Sequence, residues 1–209
     1  MIYFNRNHRI NMWNTKYILF TVFLLHFAES EKILSLRNCK SEPAKIQLNF
    51  KNTFEFSICL RFTLEYLTST YLFSSNLTEL YFSNFEDKIG FVKVYSKSEM
   101  FMYSNEILPN HWQHLCYAYN SKYISITLNG ELLTNDIFID SDQESIQNTT
   151  LYLGDTSENS NGNISDFNVW NRALKISEMK SFTTDCNKSI DPDVFSWKTW
   201  IQQSKFQPN

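Results

Sequence analysis

The sequence predicts an all-β chain, an antiparallel sandwich of two sheets with one short helix late in the order. Three observations carry that prediction. After residue 31 the apolar residues recur mostly at every second position, the period of a strand with one buried face. The strand candidates are short and closely spaced, and 18 Phe and 11 Tyr are present to fill a core. One stretch near residue 175 leaves this pattern for a helical one. At 209 residues the chain suits one domain with a sizeable core and is too short for two.

In chain order, "AKIQLNF" is the first strand candidate. "FEFSICLRF" follows, with Phe54, Phe56, Ile58, Leu60 and Phe62 on one face and Glu55, Ser57, Cys59 and Arg61 on the other. "STYLFSS", "TELYFSN", "KIGFVKVYS", "EMFMYS" and "WQHLCYAYN" come next. "YISITLNGELL" places Ile124, Ile126 and Leu128 on one face and turns at Asn129-Gly130. That pair favours positive φ at both central positions, so a two-residue hairpin is expected. "TTLYLGD" and "GNISDFNVW" are the last internal strands, separated by the polar loop "SENSNGN". "ALKISEMKSF" then carries Leu174, Ile176, Met179 and Phe182 as a helical stripe, fit to lie on a sheet.

Residues 1–30 read as a signal peptide. Arg6, Arg9 and Lys16 form a basic region, "YILFTVFLLHF" is apolar, and Ala28 and Ser30 suit cleavage after Ser30. The apolar run is short for a span of about 20 residues, and an uncleaved signal anchor is the alternative. No later segment is apolar enough to span a bilayer. The mature domain is then expected over residues 31–205, with 206–209 as a tail. Cleavage leaves 16 Lys and Arg against 21 Asp and Glu, a net −5. That charge disfavours nucleic acid and anionic membrane as partners. Four cysteines (Cys39, Cys59, Cys116, Cys186) follow the cleavage site, an even number with three possible pairings. Sequons at Asn76, Asn148, Asn163 and Asn187 agree with passage through the secretory pathway. The sequence thus predicts a secreted glycoprotein.

"GNISDFNVWNRALKISEM" passes from strand to helix through Trp170 and Leu174, which resembles the pentraxin and laminin G-like branch of the concanavalin A-like lectins. "HLCYAYNS" is similar to the pentraxin motif His-x-Cys-x-(Ser/Thr)-Trp-x-(Ser/Thr). His114, Cys116 and Ser121 match, while Ala118 and Tyr119 depart from it. "FSICLRF" resembles the family's earlier Phe-Thr-Val-Cys-Leu strand, and "DVFSWKTW" its returning strand near the C-terminus. The matches keep family order from about residue 45 to 200. They imply a concanavalin A-like jelly roll, a Cys59–Cys116 disulfide and, by remainder, Cys39–Cys186. The alternative is that Cys39 or Cys186 bonds to another chain. The resemblance also implies an oligomer.

Pentraxins bind ligands through paired calcium ions, held by a Gln-Glu-Gln-Asp run after Leu-Gly and by an earlier Asp-Asn pair. After Leu153-Gly154 this chain has Asp155, Thr156, Ser157 and Glu158, and Asn76-Leu77 falls near the Asp-Asn position. Calcium wants six to eight oxygens, several of them charged. The family's ligands are mostly not retained, so no metal site is expected. Asp155 and Glu158 stay as ligand-binding candidates, with Trp200 as a ring for sugar stacking. Trp197 is expected in the core. Asp140, Asp142 and Glu144 read as a solvated loop. His111 and His114, three apart, would point to opposite faces of one strand and make a poor metal pair. Glucanases of this fold carry Glu-x-Asp-x-x-Glu, which is absent, and no nucleophile elbow or phosphate loop occurs. The expectation is a non-catalytic module for an extracellular glycan or protein ligand. The alternatives are an interaction module that has lost the calcium site, and a glycoside hydrolase on the same fold.

Overall fold

The period-two pattern folds into two antiparallel sheets. The computed structural model describes residues 33–36, 44–51, 55–66, 70–76, 78–83, 89–94, 97–102, 107–138, 148–154, 161–184 and 190–203. The strands among them are β1 (Leu34–Ser35), β2 (Ala44–Leu48), β3 (Glu55–Thr63), β4 (Thr70–Ser74), β5 (Thr78–Ser83), β6 (Ile89–Val94) and β7 (Lys97–Met102). They continue with β8 (Gln113–Asn120), β9 (Tyr123–Leu128), β10 (Glu131–Phe138), β11 (Thr149–Leu153), β12 (Asn163–Trp170) and β13 (Phe195–Ser196). The helices are α1 (Ile176–Thr184) and α2 (Trp197–Gln203). One sheet has the order β1-β12-β3-β8-β9-β10 with β13 paired to β12, and the other runs β2-β11-β4-β5-β6-β7. No described helix is long and apolar enough to cross a membrane. The signal segment and the 206–209 tail lie outside the described residues.

The core lies between the sheets. β3 sends in Phe56, Ile58, Leu60 and Phe62, β8 sends Leu115, Tyr117 and Tyr119, and β9 sends Ile124, Ile126 and Leu128. Ile46, Leu48, Leu151 and Leu153 face them from the other sheet. Phe56 meets Tyr117 edge to face at 5.4 Å, a geometry that aromatic quadrupoles favour. The Tyr117 hydroxyl is paired with Thr78 Oγ1 at 2.9 Å across the core, so its burial leaves no orphan polar atom there. The β9–β10 hairpin turns at Asn129 and Gly130, with φ of 51° and 82°. Both are left-handed, as a two-residue loop of that type requires.

The outer face of β3 differs from a simple alternation. Ser57 and Cys59 are buried there, because α1 covers them. A second apolar cluster forms under the helix from Cys59, Cys116, Ala118, Trp170, Leu174 and Met179. The helix is set by its first turn. Lys175 supplies the carbonyl that accepts from Glu178 N and Met179 N. Glu178 reaches back to Lys175 N at 2.8 Å, one half of a capping box. The same carboxylate takes two 2.8 Å bonds from Arg172. Ser57 Oγ ties the strand to the segment leading into the helix by donating to Arg172 O and accepting from Leu174 N.

The C-terminal stretch corrects the sequence reading. The expected returning strand is two residues long, and the chain turns into α2 at Trp197. Ser196 Oγ accepts from Thr199 N at 3.4 Å, as a helix-capping serine does. Trp197 and Trp200 are three residues apart, a spacing that puts both on one helical face. Their rings lie 5.1 Å apart. Two helices are therefore present among the described residues, where one was expected.

Candidate functional site

Gly154, which leads into the matched acidic run, and Asn76 lie toward opposite ends of one strand pair. β11 pairs with β4 antiparallel, with Tyr152 opposite Ser74 and Leu153 opposite Phe73. Gly154 N donates to Leu72 O, so the chain leaves β11 toward the Leu72 end of β4. Asn76 lies at the other end, where its side-chain oxygen accepts from Thr149 Oγ1. From Thr149 to Gly154 a strand advances roughly 17 Å at about 3.4 Å per residue. That span separates Asn76 from Gly154, and the carboxylates matched to the family's calcium run follow Gly154, outside the described residues. No group of three His, Cys, Asp or Glu fit for a metal occurs among the described residues. Asp155, Glu158, Asp140, Asp142 and Glu144 lie outside them, as do Cys39, Cys186 and Asn187.

The other expected residues are placed as follows. Cys59 and Cys116 stand directly opposite on β3 and β8 and form a disulfide. Asn76 and Asn148 are exposed, and Asn163 opens β12 half-buried, paired with Ser35 and Thr63. Trp197 is buried. Trp200 is partly buried on the core cluster and 6.1 Å from Phe195, so it is held against apolar neighbours.

His111 and His114 do not share a strand, which corrects the two-face reading. His111 precedes β8 and is exposed, with Nδ1 2.8 Å from Pro109 O. His114 is buried on the outer face, stacked on Phe182 and 4.0 Å from Cys116 Sγ. Its Nδ1 has no hydrogen-bond partner. Burial, helped by the charge of Arg61, pushes its pKa down to about 4. Arg61 pairs at 3.5 Å with Asp166. Asp166 has a φ of 50° where β12 shifts register against β3, a left-handed bulge residue that is costly for a non-glycine.

The feature that sequence reasoning missed lies at the end of the sandwich where β3 leaves and β8 enters. Tyr66, Leu108 and Trp112 are 49%, 51% and 44% exposed. Two loops carry them, and hydrogen bonds tie those loops together. Asn110 N donates to Leu64 O at 2.7 Å, and Asn110 Nδ2 donates to Glu65 O at 3.2 Å. Asn110 reaches this geometry at φ 61°, which Asn tolerates better than most residues. From the third side, fully buried Asn161 accepts from Glu65 N and Tyr66 N through Oδ1 and donates to Thr70 Oγ1. Gly162 fits against the same corner at φ +104°, where an added Cβ would fall 1.9 Å from Thr63 O. Gln113 Nε2 holds Leu108 O at 3.2 Å, and its buried Oε1 has no partner. The Pro109-Asn110 pair was the available sequence signal, a turn dipeptide placing Trp112 just outside a strand.

Comparison with known proteins matches the fold. The model of the concanavalin A-like lectin/glucanases superfamily covers residues 42–180. A native heptameric SAP-like pentraxin from Limulus polyphemus superposes with a TM-score of 0.58 at 18% identity, over 75% of this chain and 83% of that one. The binding domain of Paraclostridial Mosquitocidal Protein 1 gives a TM-score of 0.55 at 15% identity, over 72% of this chain and 42% of that one. The receptor binding domain of botulinum neurotoxin mosaic serotype C/D gives 0.54 at 16%, over 74% and 41%. The chain thus spans about four tenths of those toxin domains. No curated protein matches it in sequence.

Proposed function

The chain belongs to the concanavalin A-like lectin/glucanases superfamily as a pentraxin- and laminin G-like domain, and on that premise we propose a secreted, non-catalytic recognition module. Its ligand is an extracellular carbohydrate or another cell-surface group, taken without calcium. The observation that carries this is the loop end of the sandwich, where three large apolar side chains stand half in water on hydrogen-bonded loops. Loops held by a rigid scaffold are where binding residues concentrate, and pre-set loops lose little entropy on binding. Toxin domains of the same fold named for receptor binding support the reading.

A catalytic role draws less support. Glycosidases need two carboxylates about 5–9 Å apart, one of them with a raised pKa. Two of the described carboxylates are paired with arginine, Asp166 with Arg61 and Glu178 with Arg172. Glu178 is held down to about 2, chiefly by its hydrogen bonds from Arg172, the wrong direction for a general acid. A second reading, a protein-interaction module, is favoured by Tyr123 and Leu132, exposed on β9 and the outermost strand β10.

Expression in a secretory host tests the reading. N-terminal sequencing should begin at residue 31, and the product should bind cells or glycan spots while leaving a polysaccharide panel intact. Hydrolysis of any panel member, or retention inside the cell, contradicts it. Light scattering of the same product tests the proposed oligomer.

A further inference from the structure

We propose that the loop end binds the face of a neutral sugar ring, with Trp112 and Tyr66 as its stacking platforms. This rests on the recognition reading above and adds a place and a chemical class. The size of the patch argues for a small ligand. Side chains of this kind have areas near 200 Å², so three of them about half exposed offer roughly 300 Å². A stable protein partner covers about 800 Å² on each side. A sugar ring, with one apolar C–H face and a rim of hydroxyls, matches exposed aromatic side chains edged by hydrogen-bonding groups.

Charge narrows the class further. The loop "ILPNHWQ" (107–113) holds no Lys, Arg, Asp or Glu, and Glu65 is the one charged residue in Leu64–Tyr66. Arg61, further back on β3, is already engaged with Asp166. A carboxylated or sulfated glycan would meet no cation on these loops, where charge-assisted hydrogen bonds would be needed to hold it.

The polar groups of these loops agree with that class. His111 Nδ1 lies against the Pro109 carbonyl, which only accepts, so Nδ1 carries a proton and donates there. Asn110 uses its N–H and one Nδ2 hydrogen within the protein, which leaves Oδ1 as an acceptor and the second Nδ2 hydrogen as a donor. A side-chain amide that both accepts and donates suits sugar hydroxyls, which do both.

The test is an array of neutral and anionic oligosaccharides, probed with the secreted wild-type protein and with Trp112→Ala, Tyr66→Ala and Trp112→Phe. Wild type should bind neutral spots, in chelator as in calcium. Each alanine change should weaken that binding by about tenfold or more, while Trp112→Phe keeps most of it. Tyr66→Ala lies in a loop outside both sheets and carries the test if Trp112→Ala does not fold. Binding that survives both alanine changes, or that is confined to anionic spots, overturns the site and leaves the recognition reading standing. Binding to no glycan at all, with cell binding intact, overturns the sugar assignment; loss of both overturns the recognition reading as well.

Discussion

His114 of β8 stacks on Phe182 of α1, ring centroids 6.0 Å apart and planes 23° apart, above the buried Cys59–Cys116 bridge. The folded protein prefers this imidazole neutral, at a pKa of about 4 against 6.5 unperturbed. Between those values the unfolded chain binds the extra proton. Stability should therefore fall as pH drops from 6.5 toward 4, by a total on the order of 3 kcal/mol. Melting curves at pH 7 and pH 5 should show the loss. In His114→Phe, which keeps the stack, most of this dependence should vanish. A slope unchanged in that variant contradicts the assignment.

Glu178 should not confuse that experiment. Its carboxyl is held at about 2, so protonation removes the Arg172 bonds only as pH falls from about 4.5 toward 2. At neutral pH, Glu178→Ala should destabilise by about 1 kcal/mol through loss of the reach-back to Lys175 N. Glu178→Gln should recover part of it. Chemical denaturation of the two variants measures both effects, and equal stabilities would show that the backbone bond is immaterial.

The bridge between Cys59 and Cys116 closes a separation of 57 residues and is shielded by α1. Restricting an unfolded loop of that size is worth about 4 kcal/mol. Reductant should act slowly on the native protein and quickly once denaturant releases the helix. Peptide mapping without reductant should recover Cys59 joined to Cys116 and, as proposed, Cys39 joined to Cys186. Cys59 joined to Cys39 would overturn the assignment.

Asn161 sets the loop end without lying on its surface. Asn161→Ala should leave the amides of Glu65 and Tyr66 without their acceptor, at about 1–3 kcal/mol. Glycan binding should weaken even at temperatures where the variant is fully folded, because Tyr66 loses its anchor. Unchanged affinity in folded Asn161→Ala would argue against a preorganised site.

These elements differ in how far sequence could reveal them. β3, β8 and β9 were legible because one buried face imposes a period of two, and Asn129-Gly130 names its own turn. α1 was legible from the Leu174, Ile176, Met179 and Phe182 stripe. α2 was not, because "WKTWIQ" alternates well enough for a strand while its i, i+3 tryptophans suit a helix. The cap at Ser196 decides between them. The loop end was illegible for another reason. Tyr66, Trp112 and Asn161 are far apart in sequence and are joined by hydrogen bonds, mostly from Asn side chains to backbone, that only the fold creates. The separation of Asn76 from Gly154 likewise depends on strand direction, which residue matching does not contain.

The central claim is recognition without calcium, and calcium titration tests it most directly. A ligand bound to the folded state stabilises by RT ln(1 + [L]/Kd), so a weak site gives little. The melting temperature and the glycan affinity of the secreted protein should be the same in millimolar calcium as in chelator. A rise of several degrees in calcium, abolished by Asp155→Ala with Glu158→Ala, would contradict the account and return the pentraxin mechanism to this chain.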